Sequence, residues 1–420
     1  MDFRKLPEGR FTLRDVTVPA CLLGQAGDLM RTDIGIDGGW IAAPGGDDVE
    51  MKGAMVLPCF TDMHTHLDKG HIWPRAWNPD GTFMGALTTV RRDHAKWSAE
   101  DVRARMEFGL RSAYAHGTSR IRTHLDSGDD QYAISFPVFA ELRDTWAGKV
   151  ELQGSSLISC DRFGTDGEFL AIADTVEGFG GVLGLVTYPV PGLHEILRGF
   201  FEMAGERGLS ADFHVDETMD PASETLRTIA IAAKETGFDK AVVVGHCCSL
   251  STQNEPRALD TLDLVARAGL NVVSLPMCNL YLQDRRFGRT PRYRGVTLVH
   301  EMKARGIPVS FASDNTRDPF YAYGDLDMLE VMRQATRIAH LDHSRADWVE
   351  SCVTTPAESC GWGAPSLAEG APADLVIFRA REWTELFARP QSDRIVLREG
   401  RAIDRTLPDY AELDELLGVS

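Results

Sequence analysis

Two histidines separated by one residue could do chemistry in this sequence: His64 and His66, within the run MHTHLD. They follow an apolar run over residues 55–60 that is typical of a β-strand. Alternate residues of a strand point to the same side, so imidazoles at its end would face one point. Converging imidazoles suit a first-row transition metal. A His-x-His pair alone is also compatible with two partly exposed histidines in a turn, so a metal site needs further ligand candidates downstream.

Further polar residues stand at or just after the ends of other apolar strands. They are His214, Glu217, His246 and Asp314. In a barrel of alternating strands and helices, catalytic groups come from the carboxyl ends of several strands. We therefore expect these four residues to converge on His64 and His66. His124, at another strand end, fits equally well as a group that orients the ligands and as a core histidine.

The middle of the chain alternates short apolar strands with helical segments. Strand candidates begin near residues 119, 150, 181, 210, 241, 271 and 308, and helical periodicity covers 100–115 and 222–235. With the strand at 55–60 they make eight βα units over about 300 residues, which matches a (β/α)8 TIM barrel. A doubly wound sheet is the alternative. The lack of a GxGxxG motif after an early strand weighs against it.

Both ends of the chain have a different texture, with short strands separated by turns. Strand-like segments lie at 11–13, 33–36, 373–378 and 394–397, and glycine-containing turns follow at 37–39 and 399–400. We predict an α/β protein with two parts. Residues 1–57 and 366–420 form a small β-sandwich domain, and residues 58–365 form the metal-dependent barrel.

Composition limits the classes of partner. The net charge of −18 over 420 residues argues against nucleic acid or an anionic membrane as the main partner. No apolar run reaches the length of about 18 residues that suggests a membrane span, and the start lacks a secretory signal. The eight cysteines contain no CxxC pair, so we expect reduced thiols in a cytoplasmic protein.

The pattern of these residues resembles the amidohydrolase superfamily, most closely cytosine deaminase and its relatives. The resemblance runs along nearly the whole chain and includes the segments HLD at 66–68, RTHLD at 122–126, HVDE at 214–217, DPFY at 318–321 and ADLV at 373–376. It implies a single divalent metal and a bound water of lowered pKa. The implied ligands are His64, His66, His214 and Asp314.

The resemblance also implies roles for the remaining groups. Asp314 takes the proton of the attacking water, and His246 hydrogen-bonds that water or the developing tetrahedral centre. Glu217 protonates a ring nitrogen and then passes a proton to the leaving amine. The implied reaction is hydrolytic deamination, in which C–NH2 becomes C=O and ammonia leaves.

One absence and the ligand types bear on the metal. Hydantoinase-like members bridge two metals with a carboxylated lysine after the fourth strand. This chain has no lysine between Lys149 and Lys234, which favours a single metal, although a glutamate bridge stays open. Mixed nitrogen and oxygen ligands leave zinc, iron and manganese open, and the resembling enzymes work with zinc or iron.

Three predicted substrate-binding positions depart from cytosine deaminase. Ser159 stands where that enzyme grips the pyrimidine edge with glutamine, Asn315 follows the metal aspartate in place of a carboxylate, and Phe320 replaces a tryptophan. Serine is too short to make the same paired hydrogen bonds, and it leaves space for a larger ring. We predict deamination of an amino-substituted N-heterocycle: a pyrimidine, a pterin or a purine-like ring.

Two other functions stay open. The run at 313–318 also resembles an isopropylammelide hydrolase of triazine breakdown, which favours cleavage of a cyclic amide or an N-alkylamine. That relative lacks a glutamate at the position of Glu217. A non-catalytic scaffold barrel is the second alternative, but such proteins have typically lost metal ligands. We expect a small heterocyclic substrate and, at the family level, a homo-oligomer.

Overall fold

The computed structural model describes residues 6–164, 167–344 and 347–419, which fold into a mixed α/β structure. The strands are β1 (Phe11–Pro19), β2 (Leu29–Asp37), β3 (Trp40–Ala42), β4 (Asp47–Glu50), β5 (Met55–Pro58), β6 (Phe60–Thr65), β7 (Thr118–Asp126), β8 (Glu151–Leu157), β9 (Leu183–Thr187), β10 (Ala211–Val215), β11 (Val242–His246), β12 (Asn271–Ser274), β13 (Val309–Phe311), β14 (Leu375–Phe378), β15 (Ile395–Arg398) and β16 (Arg401–Ala402). The α-helices are α1 (Phe83–Asp93), α2 (Ala99–His116), α3 (Tyr132–Thr145), α4 (Glu168–Phe179), α5 (Leu193–Glu206), α6 (Thr225–Glu235), α7 (Glu255–Ala268), α8 (Pro276–Leu282), α9 (Val299–Lys303), α10 (Met328–Ile338), α11 (Thr354–Ser359), α12 (Trp383–Ala388) and α13 (Asp414–Leu417).

The middle strands form parallel sheet segments in chain order. One segment contains β6, β7 and β8, and the other runs from β9 to β13. Isolated parallel bridges join the segments at both edges: Ser155 pairs with Val182 and Ser159 with Val186, while Thr65 pairs with Asp314. Strands such as β10 and β11 are buried along their whole length, which is typical of parallel sheets covered by helices.

Local sequence explains the elements around these strands. Helix α2 begins at Ser98, whose side chain accepts a hydrogen bond from the backbone of Asp101, and ends at Gly117 in a left-handed conformation. A side chain at Gly117 would lie only 2.6 Å from Val376. Gly117 therefore permits both the turn into β7 and the close packing of β14.

The two ends of the chain share one sheet, with the order β16-β15-β14-β5-β1-β2-β3 and β4 paired with β1. Strands β5 and β14 pair antiparallel, so the N-terminal and C-terminal segments are directly hydrogen-bonded. Apolar residues of both, including Phe11, Leu57 and Ile377, belong to the main hydrophobic core.

The prediction of a single strand over 55–60 was wrong. This apolar run serves two sheets: β5 ends at Pro58 in the terminal sheet, and β6 begins at Phe60 and carries His64. The backbone N–H of Cys59 donates to Asp374 beside β14, whereas that of Phe60 donates to Gly117 beside β7. Both halves are buried, so hydrophobicity alone did not reveal the change of partner.

All eight cysteines are free, and seven of them are buried. Burial raises the pKa of the Cys247 and Cys248 thiols well above the ordinary value, so these neighbours of His246 are kept as neutral thiols. None of the helices in the described ranges is long and apolar enough to cross a membrane.

Candidate active site

Three histidines and one aspartate from distant parts of the chain meet at the carboxyl ends of the parallel strands. The Nε2 atom of His214, in β10, lies 3.1 Å from Nε2 of His64 and 3.3 Å from Nε2 of His66. Asp314 follows β13, and its Oδ1 atom lies 3.2 Å from Nε2 of His66 and 3.7 Å from Nε2 of His64. All four side chains are buried.

The spacing of these atoms fits a single metal ion. Ligand atoms bound at about 2.0–2.1 Å to one ion, at angles of about 90–125°, lie about 2.8–3.7 Å apart. In the described parts of the chain, neither carboxylate oxygen of Asp314 accepts a hydrogen bond from an N–H or O–H group, and the thiol of Cys278 is the weak donor beside it. A buried carboxylate without a partner is costly, and a cation between these side chains would remove that cost.

The histidines are in the protonation state that a metal needs. Burial, followed by neighbouring histidines, lowers the pKa of His64 and His214 well below the ordinary value. For His66, burial and then the charge of Lys69 have the same effect. The three imidazoles are therefore neutral and free to donate a lone pair.

His124 belongs to this cluster. Its ligand atom lies within 4.8 Å of those of His64, His66 and His214, and its ring is centred 4.0 Å from that of His64. Nε2 of His124 lies 3.1 Å from Oδ1 of Asp212, whose other oxygen accepts from Arg122. Asp212 precedes His214 by two residues on the same face of β10. This strand therefore supplies one histidine of the cluster and the carboxylate that lies beside His124.

A carboxyl group suited to proton transfer lies beside the cluster. Oε1 of Glu217 is 3.4 Å from the amide nitrogen of Asn279 and 3.6 Å from Nδ1 of His246. Burial, followed by the charge of Asp314, raises the pKa of Glu217 well above the ordinary value. A carboxyl group that keeps its proton near neutral pH can act as a general acid.

The surroundings of Glu217 include two residues to which the sequence analysis gave no role. Asn279, in α8, also lies 3.0 Å from Nδ1 of His246, and Gln283 donates a 3.2 Å hydrogen bond to the backbone carbonyl of Glu217. Asn279 fixes the acid and His246 relative to each other, and Gln283 holds the backbone that carries the acid. The sequence does not reveal these contacts, because α8 is distant from Glu217 along the chain and only the fold brings them together.

The backbone is strained where it presents these side chains. Asp216, His246 and Asp314 have φ values of +48°, +67° and +66°, a left-handed region that is uncommon for residues other than glycine. The Asp216 carboxylate accepts hydrogen bonds from the hydroxyl of Ser223 and the backbone N–H groups of Thr225 and Leu226. These bonds hold the turn that carries Glu217, as is common at functional sites.

Two of the three predicted substrate-binding residues follow Asp314 after β13, and the third follows β8. Asn315 donates a 2.7 Å hydrogen bond to Asp318, and the buried Phe320 packs edge-on at 5.4 Å against Phe83, so both follow Asp314 along one wall. Ser159 lies beyond β8 beside Tyr188. The pKa of Tyr188 is raised to about 12 by burial and Asp161, against a lowering effect of its hydrogen bond with Ser159.

Comparisons with known proteins show the family of this chain. Residues 184–403 match the family model described as "Amidohydrolase family". A pterin deaminase from Rhizobium rhizogenes is 52% identical over 424 residues, covering 97% of each chain.

Solved structures share the fold. A 5-methylcytosine deaminase from Klebsiella pneumoniae has a TM-score of 0.81 at 22% identity, covering 95% of this chain and 98% of that one. An N-isopropylammelide isopropylaminohydrolase from Burkholderia multivorans has a TM-score of 0.74 at 27% identity, covering 94% and 98%. The chain therefore belongs to the amidohydrolase family and is a hydrolytic deaminase.

Proposed function

We propose that this protein deaminates pterin, 2-amino-4-oxopteridine, at carbon 2. Water adds to the carbon that bears the amino group, the carbon–nitrogen bond breaks, and the products are the 2-oxo ring and ammonia. The observation that carries this proposal is the 52% identity to a pterin deaminase over almost the whole chain. The carboxyl group of Glu217 supports it, because burial raises its pKa and an amine leaves poorly without an acid beside it.

We assign the metal to the three histidines and Asp314, with zinc or iron as the ion. When bound, a divalent ion acts as a Lewis acid that makes water a stronger nucleophile at neutral pH. Asp314 accepts the proton of the attacking water, and His246 hydrogen-bonds the oxygen that adds to the ring. Glu217 donates its proton to a ring nitrogen, takes up the remaining proton of the hydroxyl group added at carbon 2, and passes it to the departing amine as the carbon–oxygen double bond forms. The proton held by Asp314 then returns to Glu217, which restores both carboxyl groups.

We further propose that β6–β13 form one closed (β/α)8 barrel over residues 58–365, with residues 1–57 and 366–420 as the small β-domain. The isolated bridges Ser155–Val182, Ser159–Val186 and Thr65–Asp314 support closure, because they join the two parallel segments at both edges. The position of the ligands at or just after strand ends supports it too.

The pocket rim is consistent with a bicyclic ring. Ser159 offers a short side chain, and its hydroxyl is already engaged with Tyr188. A glutamine at this position would reach further toward the substrate and fill space that the second ring of a pterin needs. The change Ser159→Gln should therefore reduce turnover of pterin relative to cytosine.

The test is ammonia release from pterin by protein loaded in turn with zinc, iron and manganese, with cytosine and N-isopropylammelide as comparison substrates. We expect ammonia from pterin at a kcat/KM well above that for cytosine. Release of isopropylamine from N-isopropylammelide, without ammonia from pterin, would replace the proposal with the N-alkylamine hydrolase alternative.

Replacing the acid gives a sharper prediction. Glu217→Gln should lower kcat on pterin by about 10²- to 10⁴-fold, the usual contribution of general acid–base catalysis, while the metal content stays normal. Glu206→Gln, at an exposed position at the end of α5, is the matched control and should behave as wild type. Full activity of Glu217→Gln would remove this residue from the mechanism.

A further inference from the structure

A buried lysine lies beside the site without a role in the mechanism above. Lys69 follows His66 by three residues and is only 4% exposed. Its Nζ atom lies 2.7 Å from Oδ1 of Asp126 at the end of β7, and the other oxygen of Asp126 lies 3.0 Å from Nε2 of His94. Asp126, itself held by His94, therefore keeps the positive charge of Lys69 at a fixed point inside the protein.

This ammonium lies close to a predicted substrate-binding residue. Nζ lies 5.4 Å from the centre of the Phe320 ring, on the wall that follows Asp314. Burial raises the pKa of Glu217 and of Asp314, and the charge of Lys69 opposes that rise. For His66, the charge of Lys69 adds to the lowering of the pKa by burial.

Lys69 has hydrogen-bond donors to spare. An ammonium group carries three donors, and Asp126 is its one close acceptor in the described parts of the chain. Burial alone would lower the pKa of Lys69, but Asp126 and Asp68 outweigh burial and raise it above the ordinary value. The side chain is therefore charged, and burying its other N–H donors without acceptors would cost free energy.

We propose that Lys69 is the residue that recognises the 4-oxo group of the pterin ring, donating a hydrogen bond to its oxygen. This inference rests on the proposed function. The reaction consumes the amino group at carbon 2, so the carbonyl at carbon 4 is the strongest acceptor left on the ring. Ser159 is too short to supply such a donor, and Lys69 provides it from the loop after β6. Asp126 and His94 act through Lys69 as positioning residues.

The test pairs one substrate change with one protein change. Pterin is compared with 2-aminopteridine, which keeps the reacting amino group and lacks the 4-oxo oxygen, in wild type and in Lys69→Met. We expect Lys69→Met to lower kcat/KM for pterin about 10- to 100-fold, the range for a hydrogen bond from a charged donor, and to leave 2-aminopteridine within about threefold. Lys96→Met removes an exposed lysine and is the matched control.

Two negative outcomes are distinguishable. Equal losses for both substrates in Lys69→Met would overturn recognition of the 4-oxo group and leave pterin deamination standing. No ammonia from either ring with metal-loaded wild type would overturn the proposed function and, with it, the role of Lys69.

Loss of folding is addressed by a second variant. Lys69→Met leaves the buried carboxylate of Asp126 without its cation, so Lys69→Met combined with Asp126→Asn removes that charge as well. Metal content and the thermal midpoint are measured for both variants. A folded, metal-replete double variant that loses activity on pterin and keeps it on 2-aminopteridine supports the proposal. The same variant with an unchanged preference between the two rings overturns it.

Discussion

At the scale of single residues, burial controls which side chains near the site can carry a proton. His71 illustrates this in the loop after β6. It is 2% exposed, packs against Phe108, and has no hydrogen-bond partner for either ring nitrogen in the described parts of the chain. Burial, followed by the charges of Arg317 and Arg105, lowers the pKa of His71 to about 3. The folded protein therefore keeps this imidazole neutral where the unfolded chain would protonate it.

This difference predicts a pH dependence of stability. The pKa of His71 is 6.5 when unfolded and about 3 when folded, so acidification protonates the unfolded state first. Stability is lost as pH falls from about 6.5 toward 3, by about 2 kcal/mol per molecule at pH 5. In His71→Asn, which tolerates the φ of +65°, the drop in unfolding free energy between pH 7 and pH 5 should shrink by about that amount.

Urea unfolding at the two pH values measures the effect. His343→Asn is the matched control, because the side chain of His343 is 94% exposed and is surrounded by solvent in the folded protein as in the unfolded chain. An identical pH dependence in wild type and His71→Asn would show that His71 does not contribute. Buried histidines of the metal cluster add the same background to every variant, so the difference isolates one residue.

At the scale of elements, strand β11 determines where His64 can sit. Gly245 lies beneath the ring of His64, and a Cβ atom there would lie 3.1 Å from Cε1 and 3.4 Å from Nδ1 of that ring. Gly245→Ala should therefore displace His64 and weaken metal retention about 10- to 100-fold, as loss of a ligand-orienting contact does. Metal content after dialysis against a graded chelator measures this. Gly178→Ala, which meets open space in α4, should retain metal normally.

The sequence predicted the parts of the site that follow strand order. His214 and Asp314 could be placed because each ends an apolar run, and the ends of parallel strands meet at one edge. The sequence does not distinguish a ligand-orienting role for His124 from that of a core histidine, because Asp212, which lies beside it, is on a different strand. Asn279 and Lys69 were not assigned, because their contacts to His246 and Asp126 depend on how α8 and the loop after β6 fold back. Burial of 55–60 throughout concealed its division between two sheets.

At the scale of the whole molecule, the terminal sheet is joined to the parallel strands by buried charges as well as by apolar packing. Arg394 precedes β15, and its side chain is 1% exposed. Its two terminal nitrogens each donate a 2.7 Å hydrogen bond to Asp327, which begins α10 by accepting from the backbone of Leu329. Arg394 also donates to the carbonyl of His116 at the end of α2. One guanidinium thus joins the C-terminal segment to two helices of the central part.

Removing this cation should destabilise the whole chain. Burial raises the pKa of Asp327, but Arg394 lowers it to about 2. Arg394→Met therefore leaves a carboxylate that is only 14% exposed without its guanidinium partner, with the ring of His116 3.6 Å away. We expect a loss of about 3–5 kcal/mol in unfolding free energy at pH 7, measured by urea unfolding. Adding Asp327→Asn should recover most of it, since the amide still caps α10 and carries no charge. Arg401→Met, on the exposed strand β16, should change stability by less than about 0.5 kcal/mol. If Arg394→Met matched that control, this guanidinium would not stabilise the junction between the two parts.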